Sequence, residues 1–176
     1  MTLARLFKIL VIGISLTAMI APAAGAISAG EGSPYFSVTS GDGEVLTSGT
    51  LKGKVAVVFY ETRDTKEKNR RLKDDLNAFY AGKPAVEQSG ILRIAIIRCS
   101  NFFPNVWRRS LRENSKKEGI TIYGDWSGSM EKDYGMASGE SNFLIIDRSG
   151  IVRYARAGAV PEEDFHIIRK TIDGLM

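Results

Sequence analysis

Two strongly apolar runs dominate the pattern of polar and apolar positions along the chain. Residues 55–60 and residues 91–99 carry branched, aromatic or other apolar side chains at most positions. Such runs are typical of strands that are buried on both faces, as the strands of parallel sheets are. They predict two central strands of a sheet.

Shorter patterns predict the elements around these strands. Two alternating runs within residues 35–48 flank a Gly-Asp-Gly turn and predict a hairpin. Apolar residues at helical spacing over residues 72–80 predict a helix after the first central strand. Pro104 and Gly119 are placed to begin and end a second helix. Residues 81–90 are predicted to form a loop.

The last third of the chain predicts a second hairpin and a closing helix. A short strand over residues 120–123 and a brief helix ending at Gly135 come first. Two strands then flank an Asp-Arg-Ser-Gly turn over residues 147–150, where glycine supplies the positive φ. Residues 161–175 form an amphipathic helix with proline in its first turn. The predicted fold class is therefore α/β, with a central mixed sheet, helices on both faces and an N-terminal β-hairpin.

The N-terminus has the pattern of a secretory signal. Arg5 and Lys8 precede an uncharged apolar run over residues 9–21, and a small-x-small cleavage site follows at residues 24–26. The run is shorter than a membrane span of about 20 residues. We predict a cleaved signal peptide over residues 1–26, a flexible lead-in over residues 27–33 and one domain over residues 34–176. An uncleaved anchor is the alternative.

Charge and cysteine content narrow the function classes. The chain has 24 Lys and Arg against 20 Asp and Glu, and removing Arg5 and Lys8 with the leader leaves 22 against 20. This small excess of positive charge does not support nucleic-acid binding, which needs a concentrated basic stripe. Export favours disulfides, yet the chain has one cysteine, Cys99, and cannot form an internal bridge. The expected location is the periplasm, with no stable membrane span after cleavage.

Several phrases resemble the redoxin branch of the thioredoxin-like superfamily. "LKGKVAVVFYETRD" is similar to the segment that leads into the active-site helix of such proteins, and "PEEDFHIIRKTIDGL" is similar to their closing helix. The chain more specifically resembles the YtfJ family of small exported bacterial proteins. The phrases that carry this resemblance are "RDTKEKN", "RRSLRENSKK", "DWSGSMEKDYGM" and "FLIIDRSGIVRYARAGAVPEED". The resemblance implies a thioredoxin-like fold and export, and it implies no particular activity.

The resemblance also implies where redox groups would lie. It aligns residues 64–67 with the C-x-x-C motif, and both thiol positions hold carboxylates, Asp64 and Glu67. Thioredoxin chemistry needs a thiolate at a helix N-terminus, where the helix dipole lowers the cysteine pKa. Redox members also place a cis-proline before the late strand, whereas this chain has Glu140 and Ser141 there. Two parts of a redox site are therefore missing.

The remaining reactive residue types have structural interpretations. Asp64 and Glu67 have the spacing of a capping box, and an acid/base pair or a metal site is the alternative. Cys99 is expected to be a half-buried structural thiol. His166, the only histidine, is expected on the surface of the last helix. No cofactor and no metal site are predicted.

One end of the predicted sheet is the candidate binding surface. The loop at residues 61–67, the loop at residues 99–107 and the segment at residues 140–142 would meet there, as ligand sites of open α/β sheets do. Aromatic loop residues there suit an apolar or peptide-like partner, or they cover a helix–sheet seam. The candidate residues are Arg63, Asp64, Lys66, Glu67, Phe102, Phe103, Trp107, Trp126, Glu140 and Ser141.

Three functions are compatible with these patterns. The first is a periplasmic thioredoxin-like protein without the dithiol, which acts as a binding or accessory module for an envelope protein or a small ligand. The second is a redoxin-class enzyme, a one-cysteine peroxidase or thiol exchanger, with Cys99 as its catalytic residue. The third is a purely structural partner in an envelope complex.

Overall fold

The computed structural model of the protein describes residues 26–176. The predicted signal peptide therefore lies, apart from its last residue, outside the described residues. Seven strands within the described part form one mixed sheet in the order β2-β1-β5-β4-β3-β6-β7. The strands are β1 (Ser37–Ser40), β2 (Val45–Thr47), β3 (Val55–Glu61), β4 (Ile91–Arg98), β5 (Ile122–Asp125), β6 (Asn142–Ile146) and β7 (Val152–Ala157).

β3 and β4, which correspond to the two apolar runs, lie at the centre of the sheet. They pair in parallel, with Val55 opposite Ile91 and Glu61 opposite Ile97. β3 is buried at all seven positions because β6 pairs with its other edge and both of its faces are covered. The predicted N-terminal hairpin is the antiparallel pair β1–β2. The predicted fold class is confirmed.

Helices and turns cover the two faces of the sheet unequally. The helices are α1 (Arg70–Ala81), α2 (Ala85–Ser89), α3 (Pro104–Glu118), α4 (Ser129–Asp133) and α5 (Phe165–Gly174), with 3-10 turns at Ser48–Leu51 and Glu162–Asp164. Leu72 and Leu76 of α1 pack with Ile168 and Ile172 of α5 on one face. α3 packs on the same face, through Leu111. The opposite face is covered by α4 and by residues near the N-terminal hairpin, including Phe36, Leu51, Met130 and Tyr134.

The structure corrects four boundaries. The last helix, α5, begins at Phe165 after a 3-10 turn, and not near Pro161 as predicted. α1 begins at Arg70, after a series of turns over residues 63–69, and its N-cap residue is Asn69. The capping box predicted for Asp64 and Glu67 is therefore wrong, because both residues precede the helix. β5 begins two residues later than predicted, at Ile122. The loop predicted over residues 81–90 contains the short helix α2, whose side chains are not buried and so leave no periodic apolar signal.

The segment over residues 27–33 is hydrogen-bonded to the rest of the domain. The backbone N–H of Ile27 donates to the carbonyl of Tyr134 at 2.9 Å, and that of Gly30 donates to the carbonyl of Val152 at 2.8 Å. Ser33 donates in the same way to Gly150 at 2.8 Å. These bonds attach a segment that we expected to be flexible to the β6–β7 hairpin and to the end of α4.

The predicted turn between β6 and β7 is present and has a clear physical basis. The side chain of Asp147 accepts hydrogen bonds from the backbone N–H groups of Ser149 (2.8 Å) and Ile151 (2.9 Å). Gly150 has a φ of 84°, which glycine adopts without steric cost. Among residues 26–176, no helix has the length and apolar character required to cross a membrane.

Candidate functional site

A buried ion pair lies at the carboxyl end of β3. Glu61, the last residue of that strand, is 2% exposed. Its Oε2 accepts a hydrogen bond from Nζ of Lys73 at 2.7 Å, and Lys73 also donates to the carbonyl of Lys66 at 2.8 Å. Burial raises the pKa of Glu61, while Lys73 and a hydrogen bond from Ser141 act in the opposite direction. The pair therefore fixes the first turn of α1 to the end of the central strand.

Ser141 and Asn69 extend this pair into a buried polar network. The hydroxyl of Ser141 donates to Oε1 of Glu61 at 2.8 Å, and Nδ2 of Asn69 donates to the Ser141 oxygen at 2.8 Å. Asn69 also donates to the carbonyl of Gly158 (3.0 Å) and accepts from the N–H of Val160 (2.8 Å). Because these polar groups all find partners, the network joins β3, α1, β6 and the segment before α5 rigidly.

This network contacts the segment that the resemblance aligned with a dithiol, residues 64–67, through the bond from Lys73 to the Lys66 carbonyl. Among residues 64–67, Asp64 is exposed, and Thr65 is buried. The Thr65 hydroxyl accepts from the N–H of Thr62 at 2.9 Å and donates to the carbonyl of Glu140 at 3.4 Å. Ser141 occupies the position before β6 where redox members carry proline. The arrangement can hold the loops in place, and it contains no sulfur that could exchange with a disulfide.

Cys99 lies apart from this network, in the core beneath α3. Its side chain is 1% exposed and packs with Leu111 and Ile122. Burial, followed by the nearby carboxylate of Asp125, raises the pKa of the Cys99 thiol to about 12. The thiol is therefore protonated at neutral pH and inaccessible, whereas peroxidatic cysteines need an exposed thiolate. These properties match the structural thiol that the sequence predicted.

A cleft of about 590 Å³ lies between α1 and α3 on the same face of the sheet. This volume is within the range of small-molecule sites, about 300–1,000 Å³. Its floor and its α3 wall are mainly apolar. The floor residues are Val57, Phe59, Ala95, Ile97 and Ile122, and the α3 wall includes Phe103, Val106, Trp107 and Leu111.

The cleft exists because α1 and α3 pack against different parts of the domain and leave a strip of the sheet between them. Leu72 and Leu76 hold α1 toward α5, whereas Leu111 holds α3 over β5. The strip of sheet between them has a small side chain at its centre, Ala95, which neither helix covers. Ala95 and Ile97 are consequently only half-buried, although they lie on a central strand.

Five cationic side chains line the cleft, and they differ in how they are paired. Arg70 binds Glu67 at 2.9 Å and Glu118 at 3.0 Å, and Lys73 is neutralised by Glu61 as described above. Arg93 donates to Oδ1 of Asn77 at 3.3 Å and lies 5.5 Å from the centre of the Tyr80 ring. The other two cations are Arg63 and Lys66, and neither has a carboxylate partner among the described residues.

Phe103 lies at the mouth of the cleft in a strained conformation. It is the N-cap residue of α3 and has φ 57° and ψ 55°, the left-handed region. It is the only residue other than glycine with positive φ in the described part of the chain. A bulky side chain in this region costs about 1–2 kcal/mol. Phe103 is nevertheless 77% exposed, and exposed Phe102 and Val106 form an apolar patch beside it.

The structure brings some of the predicted site residues together. Arg63, Lys66, Phe103 and Trp107 line the cleft. Ser141 belongs to the buried network, and Glu140 lies beside it, where Nζ of Lys68 binds Glu140 at 2.6 Å. The remaining four do not line the cleft: Asp64 and Phe102 are exposed, Glu67 pairs with Arg70, and Trp126 packs against α3. Trp126 covers a helix–sheet seam, which was the alternative interpretation, with the Arg108 guanidinium 5.8 Å from its ring centre.

Sequence reasoning missed Glu61, Asn69, Lys73 and Ala95. One signal was available for Glu61, because an acidic residue at the end of a strand buried on both faces requires a buried partner. Nothing in the sequence identifies Lys73 as that partner. The cleft floor left no signal either, since Ala95 belongs to an apolar run that looks fully covered.

Asp125 and His166, two other residues that could carry chemistry, have structural explanations. Asp125 is fully buried, and its side chain accepts hydrogen bonds from the Gly128 N–H at 2.8 Å and from the Tyr60 hydroxyl at 3.0 Å. These bonds stabilise the turn before α4. His166 is exposed on α5, as the sequence predicted. Within residues 26–176, no group of three or more histidine, cysteine or acidic side chains is arranged to hold a metal ion.

Comparison with known sequences gives a distant relative. No family model matches the chain. An uncharacterised protein of Haemophilus influenzae is 24% identical over 132 residues, which is 73% of this chain and 70% of that protein.

Comparison with solved structures shows a thioredoxin-like fold. A protein provisionally named as a disulfide isomerase from Bacteroides thetaiotaomicron matches with a TM-score of 0.63 and 18% identity over 85% of this chain and 90% of that one. A thiol:disulfide interchange protein of the thioredoxin family from Chlorobium tepidum matches at 0.55 and 22%, over 84% and 99%. The exposed lipoprotein thioredoxin of Streptococcus pneumoniae matches at 0.57 and 16%, over 81% and 100%. At these identities the likeness concerns the fold, which hosts many activities.

Proposed function

We propose that the protein is an exported thioredoxin-like binding module that does not catalyse thiol–disulfide exchange, and that its ligand binds in the cleft between α1 and α3. One juxtaposition carries this proposal. The segment where a dithiol would lie, residues 64–67, carries no thiol and is bound through the Lys66 carbonyl to the closed network of Glu61, Lys73, Ser141 and Asn69, and the open apolar cleft lies directly beside it. A scaffold that has lost its thiols and retains a ligand-sized cleft supports binding better than catalysis.

Export and family are part of the same proposal. The predicted leader over residues 1–26 supports export, and so do structural relatives whose names describe an exposed lipoprotein and thiol:disulfide interchange proteins. The mature protein would then act in the periplasm. The four phrases that resemble this family, of which "RDTKEKN" at residue 63 is the first, support membership of the YtfJ family.

The absence of redox activity can be tested with purified mature protein. Insulin reduction by dithiothreitol and consumption of hydrogen peroxide should proceed at the rate without protein. Cys99→Ser should give the same rates as the wild type, because the Cys99 thiol is buried and protonated. Turnover by the wild type that Cys99→Ser abolishes would refute the proposal and establish the one-cysteine enzyme instead.

The binding role needs a separate test with a neutral apolar probe. Nile red should bind the wild type and shift its emission to the blue. Ala95→Trp places a large side chain on the cleft floor and should abolish the shift. Ala137→Trp, a matched substitution at an exposed loop position, should leave it unchanged. Equal Nile red binding by all three proteins would mean that the cleft is not the site.

A further inference from the structure

We propose that the cleft binds a single-chain amphiphile with an anionic headgroup, and that the headgroup lies against Arg63 and Lys66. This inference rests on the proposed function, since it assigns a ligand class to the same cleft. It combines two observations: an elongated apolar floor, and two cations without carboxylate partners that lie together at one end of that floor.

The floor can accommodate one hydrocarbon chain. Phe59 pairs with Ala95 across β3 and β4, and Ala95 pairs in turn with Ile122 of β5, so these three side chains form one apolar row. Ile97 continues the floor along β4 toward the carboxyl end of the sheet. Trp107 supplies an apolar wall from α3. Apolar surface in this arrangement favours an alkyl chain through the hydrophobic effect, which has no directional requirement.

The charge at the carboxyl end of the sheet favours an anionic headgroup. Arg63 and Lys66 follow β3 directly, three residues apart in the turns before α1, and both line the cleft. The other cations at this end, Arg70 and Lys73, are already bound to carboxylates. Arg93 lies four residues before Ile97 on β4, about 13 Å away at about 3.3 Å per residue. Arg93 also has no carboxylate partner among the described residues, but neutral groups of Tyr80 and Asn77 hold it at the other end of the floor. Two of the three cleft cations without carboxylate partners therefore lie together, at the end that Arg63 occupies.

Peptide ligands fit the cleft less well. An extended peptide gains affinity by adding a strand to a free sheet edge, whereas β3 and β4 are central strands with partners on both sides. An α-helix is about 10 Å wide with its side chains. An alkyl chain is narrower and needs no backbone partners.

Titration calorimetry with defined amphiphiles below their micelle concentrations tests the proposal. Dodecanoate and dodecyl phosphate represent the two sources of such an anion, a free fatty acid and a phosphate headgroup lipid. At least one of them should bind about tenfold more tightly than dodecyltrimethylammonium, and the preferred anion identifies the source. Decanoate should bind more weakly than dodecanoate, by up to about fourfold for each methylene removed.

Charge-reversed variants locate the headgroup. Arg63→Glu/Lys66→Glu should weaken binding of the preferred anion by about tenfold or more and should leave Nile red binding unchanged. Arg109→Glu/Lys116→Glu is the matched control, because it reverses two exposed cations of α3 that do not line the cleft. That control should bind the anion within about twofold of the wild type.

The outcomes separate this inference from the proposed function. Nile red binding without any preference for anions over dodecyltrimethylammonium would overturn the ligand class and leave the binding module intact. Equal loss of affinity in the two charge-reversed variants would overturn the headgroup position. Displacement of bound Nile red by an acidic helical peptide, with no displacement by dodecanoate or dodecyl phosphate, would identify a peptide ligand and also overturn the inference.

Discussion

The buried ion pair between Lys73 and Glu61 should be critical for stability. Lys73→Met removes one partner and leaves Glu61, whose side chain is 3% exposed, without its neutralising charge. Breaking a buried pair in this way costs about 3–5 kcal/mol, because the remaining charge is uncompensated. The free energy of unfolding of a whole domain is about 5–15 kcal/mol. We therefore expect Lys73→Met to lose a large fraction of its stability, measured by urea unfolding at pH 7.

The loss should depend on pH in a defined direction. Burial raises the pKa of Glu61 in the folded protein above its unfolded value, and Lys73 opposes that rise. A carboxyl group with a raised folded-state pKa binds its proton more tightly when folded, so the unfolding free energy falls as pH rises through the window between the two pKa values. Without Lys73 the folded-state pKa of Glu61 rises further. The pH window between the unfolded and folded pKa values of Glu61 then extends to higher pH. Lys73→Met should therefore regain stability between pH 7 and pH 5, and more steeply than the wild type.

A matched substitution and a double variant make the reasoning refutable. Lys68→Met removes a half-exposed pair with Glu140 and should cost at most about 1 kcal/mol. Glu61→Gln/Lys73→Met removes both charges and should be more stable than the sum of the single losses predicts, since no charge is left buried. If Lys73→Met costs no more than Lys68→Met, or if the two single losses add, the pair does not stabilise this site as argued.

Three further outcomes are expected from local geometry. Gly124→Ala should lower the unfolding free energy by about 1–3 kcal/mol, because the new Cβ would lie 2.8 Å from the Cys99 sulfur. Gly174→Ala is the control, since its Cβ would meet open space, and it should be neutral or slightly stabilising. Urea unfolding of the two variants compares them. Phe103→Gly should be more stable than Phe103→Ala by about 1 kcal/mol in the same assay, since only glycine adopts the positive φ without cost; equal stability would mean that no strain is stored there. Cys99 should not react with Ellman's reagent at pH 8 in the native protein and should react fully in urea; rapid native labelling would contradict the raised pKa and the burial.

Much of the fold could be predicted because local patterns and tertiary packing agree there. The apolar runs became β3 and β4, and Pro104 and Gly119 bound α3 as expected. The start of α1 could not be predicted in the same way. Asp64 and Glu67 have the spacing of a cap, yet the chain forms turns until Asn69, whose side chain bonds to residues near 141 and 158. Contacts distant in sequence therefore override a local signal at that point.

The sequence by itself determined what this protein lacks. One cysteine in an apolar strand, carboxylates at the expected thiol positions and serine before the late strand are visible in the residues, and they exclude a dithiol without any coordinates. Periodicity also determined the α/β class, because burial on two faces leaves its mark on the order of side chains. Only the tertiary structure decided what surrounds the segment where a dithiol would lie. The Glu61–Lys73 network, with Asn69 and Ser141, joins segments up to 91 residues apart, and the cleft depends on α1 packing toward α5 while α3 packs over β5. Neither the separation of two helices nor the pairing of distant charges is a property of local sequence.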